Sequence, residues 1–272
     1  MINYSKEEVD SKILSIQTNR IIKSGNAMTI LLKNNAKYIF EKKSTPSIGL
    51  ETYMLTSGSF KDIVIWSGSD IEAPIKEKGT KDFIGGVHGD EQYESINIIC
   101  DGVVLDINEN YDMEFNNLTI FVKSILNRCE TTTPVFTRYK KLEFKDDELI
   151  ISNRLITLVD GFIVERYTGS GLYSVYKDLL NGYTINTKPE LITSGGQNGG
   201  KEFKEGTFFC KGYTVTLKAL GGIGEYYKGS VADFSSESRP RFKFYFDTIN
   251  SSSGVTLNTN DELNASFSIK IK

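Results

Sequence analysis

Ser95-Ile96-Asn97-Ile98-Ile99-Cys100-Asp101-Gly102-Val103-Val104-Leu105-Asp106 is the stretch whose reading decides the fold. The runs Ser95–Asp101 and Val103–Ile107 are rich in Ile and Val. Branched side chains of this kind suit a pleated, half-buried strand. Asp-Gly between two such runs is a strong short-range hairpin signal, because a tight two-residue turn needs positive φ. Asp160-Gly161 repeats the signal between Leu155–Val159 and Phe162–Tyr167, and Lys211-Gly212 lies between Thr207–Lys211 and Tyr213–Lys218.

The same strand-like character extends outward to Lys12–Gln17, Ala27–Lys33, Lys37–Lys42, Asp62–Ser67, Leu118–Val122, Arg241–Asp247 and Ala265–Lys270. Turn residues separate these runs. Helical signals are few. Ser5–Ser11 can form a short capped turn with Glu8 three residues after Ser5, and Leu172–Leu180 reads as a short helix or as a strand plus turn. The expected fold is all-β, a large antiparallel β-sandwich with very little helix. One sandwich over residues 1–272 is expected. The Thr- and Pro-bearing stretch Glu130–Pro134 offers an alternative division into 1–132 and 133–272.

Composition removes several function classes. The formal net charge is −3, with acids and bases interspersed, so no nucleic-acid partner is expected. Cys100, Cys129 and Cys210 are odd in number and form no Cys-x-x-Cys pair, which points to free thiols and away from a zinc ribbon. The first ten residues lack the apolar core of a signal peptide, and no apolar run reaches membrane-spanning length.

The densest chemical motif is Gly85-Gly86-Val87-His88-Gly89-Asp90-Glu91, and His88 is the only histidine of the chain. His88 and Glu91 resemble the first ligand pair of zinc carboxypeptidases. That chemistry needs a second imidazole, so no metal, no cofactor and no catalytic residue is assigned. Two readings of the motif stand side by side. Its glycines and polar side chains can build a tight structural turn. Alternatively His88, Asp90 and Glu91 can meet a ligand from a rigid loop, with Trp66 and Tyr93 as apolar walls. The 14 tyrosines suit sugar contact, since the ring stacks while the hydroxyl hydrogen-bonds.

Residues 85–106, with the Gly-x-His-Gly-Asp-Glu turn, a strand, an Asp-Gly hairpin and a second strand, resemble bacteriophage tail-fibre and baseplate-associated proteins. The run from Phe244-Tyr245-Phe246-Asp247 through Val255 and Asp261-Glu262 to Ala265–Lys270 resembles the end of galactose-mutarotase-like supersandwich domains. The first resemblance implies a structural or adhesive tail component. Its implied location is the virion, assembled in a host cytoplasm. Its implied partners are other virion proteins, copies of itself and host-surface polysaccharide. The alternatives are a glycan-cleaving hydrolase or lyase centred on the His88 turn, and a cellular carbohydrate-binding module. No epimerase residues carry over from the second resemblance.

Overall fold

The computed structural model describes residues 18–44, 51–61, 63–67, 73–85, 88, 90–169, 172–185, 188–190, 198–202, 204–222, 228–234 and 240–272. The N-terminal turn and the strand read over residues 5–17 lie outside the described residues. Every strand pair is antiparallel.

A six-stranded sheet runs in the order β5 (Ile63–Ser67), β4 (Glu51–Phe60), β3 (Ala36–Ser44), β2 (Ala27–Leu31), β1 (Asn19–Ser24), β9 (Tyr111–Phe115). A ten-stranded sheet begins with β16 (Lys188–Glu190), β15 (Leu180–Ile185), β18 (Glu205–Cys210) and β19 (Tyr213–Gly222). It continues through β23 (Glu262–Ile271), β12 (Glu148–Thr157), β11 (Pro134–Lys145), β10 (Asn117–Asn127), β7 (Glu91–Cys100) and β8 (Val103–Leu105). Smaller sheets are formed by β22 (Ile249–Leu257), β13 (Phe162–Tyr167) and β6 (Ile75–Glu77), and by β14 (Leu172–Tyr176), β21 (Arg241–Asp247), β20 (Lys228–Phe234) and β17 (Asn198–Glu202).

Period-2 alternation makes the sandwich. On β10, Leu118, Ile120, Val122, Ser124 and Leu126 are buried, while the residues between them are half-buried or exposed. On β12 the buried set is Leu149, Ile151, Asn153, Leu155 and Thr157. Of these, Leu118, Ile120, Val122, Leu149 and Ile151 join one apolar cluster with Met28, Ile30 and Tyr38 of the six-stranded sheet and Phe242 and Phe244 of β21. Phe208 and Phe244 stack within it at 4.0 Å. A second cluster joins Leu126, Phe136, Leu155 and Leu263 to Ile75, Phe162 and Val164 of the three-stranded sheet. Three smaller sheets therefore share one face of the ten-stranded sheet; no sheet of the described residues packs on its other, open face, where Phe121 and Tyr139 are exposed.

The Asp101-Gly102 turn is a two-residue hairpin: Cys100 pairs with Val103, and the two φ angles are 46° and 86°. Lys211-Gly212 likewise closes β18 onto β19, with Cys210 opposite Tyr213. Asp160-Gly161 corrects the expectation. It is a turn, but β12 pairs within the ten-stranded sheet and β13 within the three-stranded one, so the chain changes layer there. Asp160 Oδ1 instead accepts the backbone N–H of Thr259 at 2.9 Å, which ties this corner to the turn before β23. Leu172–Leu180 resolves into β14 followed by the 3₁₀ turn Lys177–Leu179. Residues 128–133 connect β10 and β11, adjacent strands of the largest sheet, which takes strands from both sides of that point. All three cysteines are free thiols.

Candidate functional site

The motif that dominates the sequence is divided by the structure. Ile84 exchanges backbone hydrogen bonds with Ile75 (2.9 and 3.1 Å), which fixes the start of the loop against β6. Gly85 follows at φ 87°, and a Cβ there would lie 2.9 Å from Arg138 Nη2 and 3.0 Å from Nη1. Glycine is needed at this position both for the backbone angle and for the approach to the guanidinium. His88 is exposed; its Nδ1 lies 3.0 Å from Asp82 Oδ1, and its ring sits 5.2 Å from the Phe83 ring. Asp90 adopts φ 57°; its carbonyl accepts Asn127 N–H at 2.7 Å, and its carboxylate accepts Glu130 N–H at 3.4 Å. Burial raises the Asp90 carboxyl above its usual range.

Glu91 faces inward. Its side chain is 3% exposed and pairs with Arg138, 2% exposed, at 3.0 Å. Ser124 Oγ donates to the other carboxylate oxygen at 2.6 Å, and Arg138 Nη2 donates to the Ala73 carbonyl. The pair is buried under the loop, with Tyr167 close enough to feel the Arg138 charge. Tyr93 is half-buried and packs on the apolar core. Trp66 lies opposite Gly58 in the β4–β5 pair, and its side chain falls outside the described residues. The structure thus holds His88 on the surface and Glu91 in the interior. Among the described residues, no three His, Cys, Asp or Glu side chains converge to hold a metal ion.

A different site emerges on the open face of the ten-stranded sheet. A cavity of about 670 Å³ lies there. Two rows of directly opposed residues form most of its floor. The first row crosses β7, β10, β11, β12, β23 and β19 as Asn97, Phe121, Lys141, Ser152, Ser266 and Gly221. The second crosses β7, β10, β11, β12 and β23 as Ser95, Lys123, Tyr139, Arg154 and Asn264. Opposed side chains on adjacent antiparallel strands lie about 5 Å apart, so each row is a continuous band of contacts. All eleven residues line the cavity.

Phe121 and Tyr139 are 38% and 41% exposed and present their rings on this floor. Each has a cation beside it: Lys141 Nζ lies 5.8 Å from the Phe121 centroid and the Arg154 guanidinium 5.9 Å from that of Tyr139. Carboxylates outside the lining steady the cations. Glu94 pairs with Lys123 at 2.7 Å, Glu143 with Lys141 at 2.7 Å, and Glu262 with Arg154 at 2.5 Å. The hydrogen bond from Arg154 holds the Glu262 carboxyl below its usual range, and the bond to Glu94 raises the Lys123 ammonium. This floor offers ring faces, cations, amides and hydroxyls to one ligand. Among the described residues that line it there is no Asp or Glu.

Sequence reading missed these residues for a physical reason. They come from six strands, and each appears locally only as the polar alternate of an amphipathic run. The available signal was the placement of Phe121 and Tyr139 on the polar phase of their strands.

No family model matches the sequence, and no curated protein matches it. Solved structures share the fold. The galactosidase domain of an alpha-galactosidase-sucrose kinase aligns at a TM-score of 0.53 and 9% identity, over 92% of this chain and 41% of that one. A Glycoside Hydrolase Family 97 enzyme from Pseudoalteromonas sp. strain K8 aligns at 0.53 and 12%, over 90% of this chain and 35% of that one. A putative aldose 1-epimerase from Escherichia coli K12 aligns at 0.52 and 7%, over 90% of this chain and 99% of that one. The chain therefore spans about two fifths of the first protein, about a third of the second and nearly the whole of the third. At these identities the likeness is one of fold: a large antiparallel sandwich of the kind seen in that epimerase. It agrees with the supersandwich resemblance of the C-terminal strands. The tail-protein resemblance of residues 85–106 gains nothing from it.

Proposed function

We propose that this chain is a carbohydrate-active protein that takes its saccharide on the open face of the ten-stranded sheet. The observation that carries the reading is the pair of cross-strand rows lining one cavity, with two exposed rings among amides, hydroxyls and cations. Sugar rings present an apolar face to an aromatic side chain and hydroxyls to polar neighbours, which is the chemistry of this floor. The fold likeness to a galactosidase domain, a glycoside hydrolase and a putative aldose epimerase supports the same class. The test is binding of the purified chain to a broad glycan panel, repeated with Tyr139→Ala and Phe121→Ala. Loss of sugar binding in both variants with the melting temperature retained supports the reading. Binding unchanged in both removes this face from it.

A second reading, turnover of the saccharide, is favoured by the near full-length alignment with the putative epimerase. Hydrolysis through two carboxyl groups does not suit the described lining residues, none of which is Asp or Glu. Tyr139, with Lys123 opposite it on β10 and Arg154 opposite it on β12, is a candidate proton-moving group. Following anomer exchange and polysaccharide cleavage by NMR, with Tyr139→Phe as the control, separates turnover from binding. The virion location implied by residues 85–106 remains a proposal about where the chain works, tested by mass spectrometry of purified particles.

A further inference from the structure

We propose that the saccharide taken by this cavity carries an acidic group: a carboxylate, a phosphate ester or a sulfate ester. The inference rests on the reading of the open face as a saccharide site and narrows its ligand class. Three cationic side chains stand on the two floor rows, Lys123, Lys141 and Arg154, and among the described lining residues there is no aspartate or glutamate. A neutral sugar is mostly hydroxyl, and its O–H groups need acceptors, which carboxylates supply best. Here the side-chain acceptors of the described floor residues are amide and hydroxyl oxygens, from Asn97, Asn264, Tyr139 and the serines, and its charged groups are all cationic donors.

The counter-ions lie beside the floor. Glu143 stands two residues beyond Lys141 on β11, Glu262 two before Asn264 on β23, and Glu94 one before Ser95 on β7. They hold the cations in place without occupying the cavity. Arg154 engages Glu262 through Nε and Nη2, which leaves Nη1 outside that pair. Lys123 and Arg154 stand on the two strands flanking Tyr139, so the two cations are separated by about two strand spacings, roughly 10 Å. A sugar ring over Tyr139 would thus have a cation on either side to meet an acidic substituent.

The experiment is titration calorimetry of the full chain against matched pairs at fixed ionic strength. The pairs are oligogalacturonate and its neutral methyl ester, glucose 6-phosphate and glucose, and a sulfated oligosaccharide and its desulfated form. Inorganic phosphate alone is the control. The expected result is one acidic member binding at least tenfold more tightly than its neutral counterpart, with affinity falling as salt rises. Arg154→Gln and Lys141→Gln should each weaken it at least fivefold. The pair that responds identifies the acidic group. The salt dependence of the unmodified chain needs no variant to fold. Equal or tighter binding of the neutral members overturns the acidic-ligand inference and leaves the saccharide reading standing. Binding of no saccharide, or of inorganic phosphate as well as any sugar, overturns both.

Discussion

Replacing Glu91 by Ala is the sharpest probe of what the His88 motif is for. The Glu91 carboxylate is buried, paired with Arg138 and bonded by Ser124, so its removal leaves a guanidinium in the interior without its counter-ion. Breaking a buried pair from one side costs about 3–5 kcal/mol. In a chain of this size each kcal/mol lowers the melting temperature by about 2–4 °C, so a fall of roughly 10 °C is expected. His88→Ala serves as the internal comparison. His88 is exposed and meets Asp82 and Phe83 at the surface, so its loss should cost about 0.5 kcal/mol. Urea unfolding of both variants, read by near-ultraviolet circular dichroism, gives the two energies at fixed slope. Replacing the pair together, as Glu91→Leu with Arg138→Met, should recover much of the loss, since both charges then leave the interior. Equal costs for Glu91→Ala and His88→Ala, or less than about 1 kcal/mol for Glu91→Ala, would refute the buried-pair account.

Gly85→Ala should destabilise by about 2 kcal/mol or more, through its φ of 87° and the clash with the Arg138 guanidinium, and chemical denaturation measures it. Cys100 and Cys210 are buried, and burial pushes the Cys210 thiol up to about 11. A disulfide reagent at pH 8 should therefore label at most Cys129 in the folded protein and all three thiols in denaturant; rapid labelling of three in the native state would contradict the fold. The bond from the Thr259 amide holds the Asp160 carboxyl below its usual range. Its contribution is present above the ordinary aspartate pKa and is lost as pH falls through the lower folded value. Asp160→Asn should then narrow the difference in melting temperature between neutral and acidic buffer, and an unchanged difference would count against the corner bond.

How much was legible can be seen residue by residue. Asp101-Gly102 was readable because the turn chemistry is local and the strands it joins do pair. Asp160-Gly161 carries the same local signal, yet β12 finds β11 and β23 as neighbours while β13 finds β22 and β6. Turn residues specify a reversal of the chain and not the sheet that receives it. Within the His88 motif, sequence could not separate His88 from Glu91, because Arg138, which decides the inward course of Glu91, lies 47 residues away. The floor of the open face was still less visible, being assembled from β7, β10, β11, β12, β19 and β23, each contributing one or two residues to its rows. Register between strands creates that site, and register is a tertiary property.

The central claim is that a saccharide lies across Phe121 and Tyr139 on the open face of the ten-stranded sheet. An experimental structure of the chain with a sugar from the binding panel tests it most directly. The predicted result is a sugar ring against Tyr139, with polar contacts to side chains of β10, β11, β12 and β23. A sugar seated instead at the His88 turn, with the open face bare, would contradict the claim.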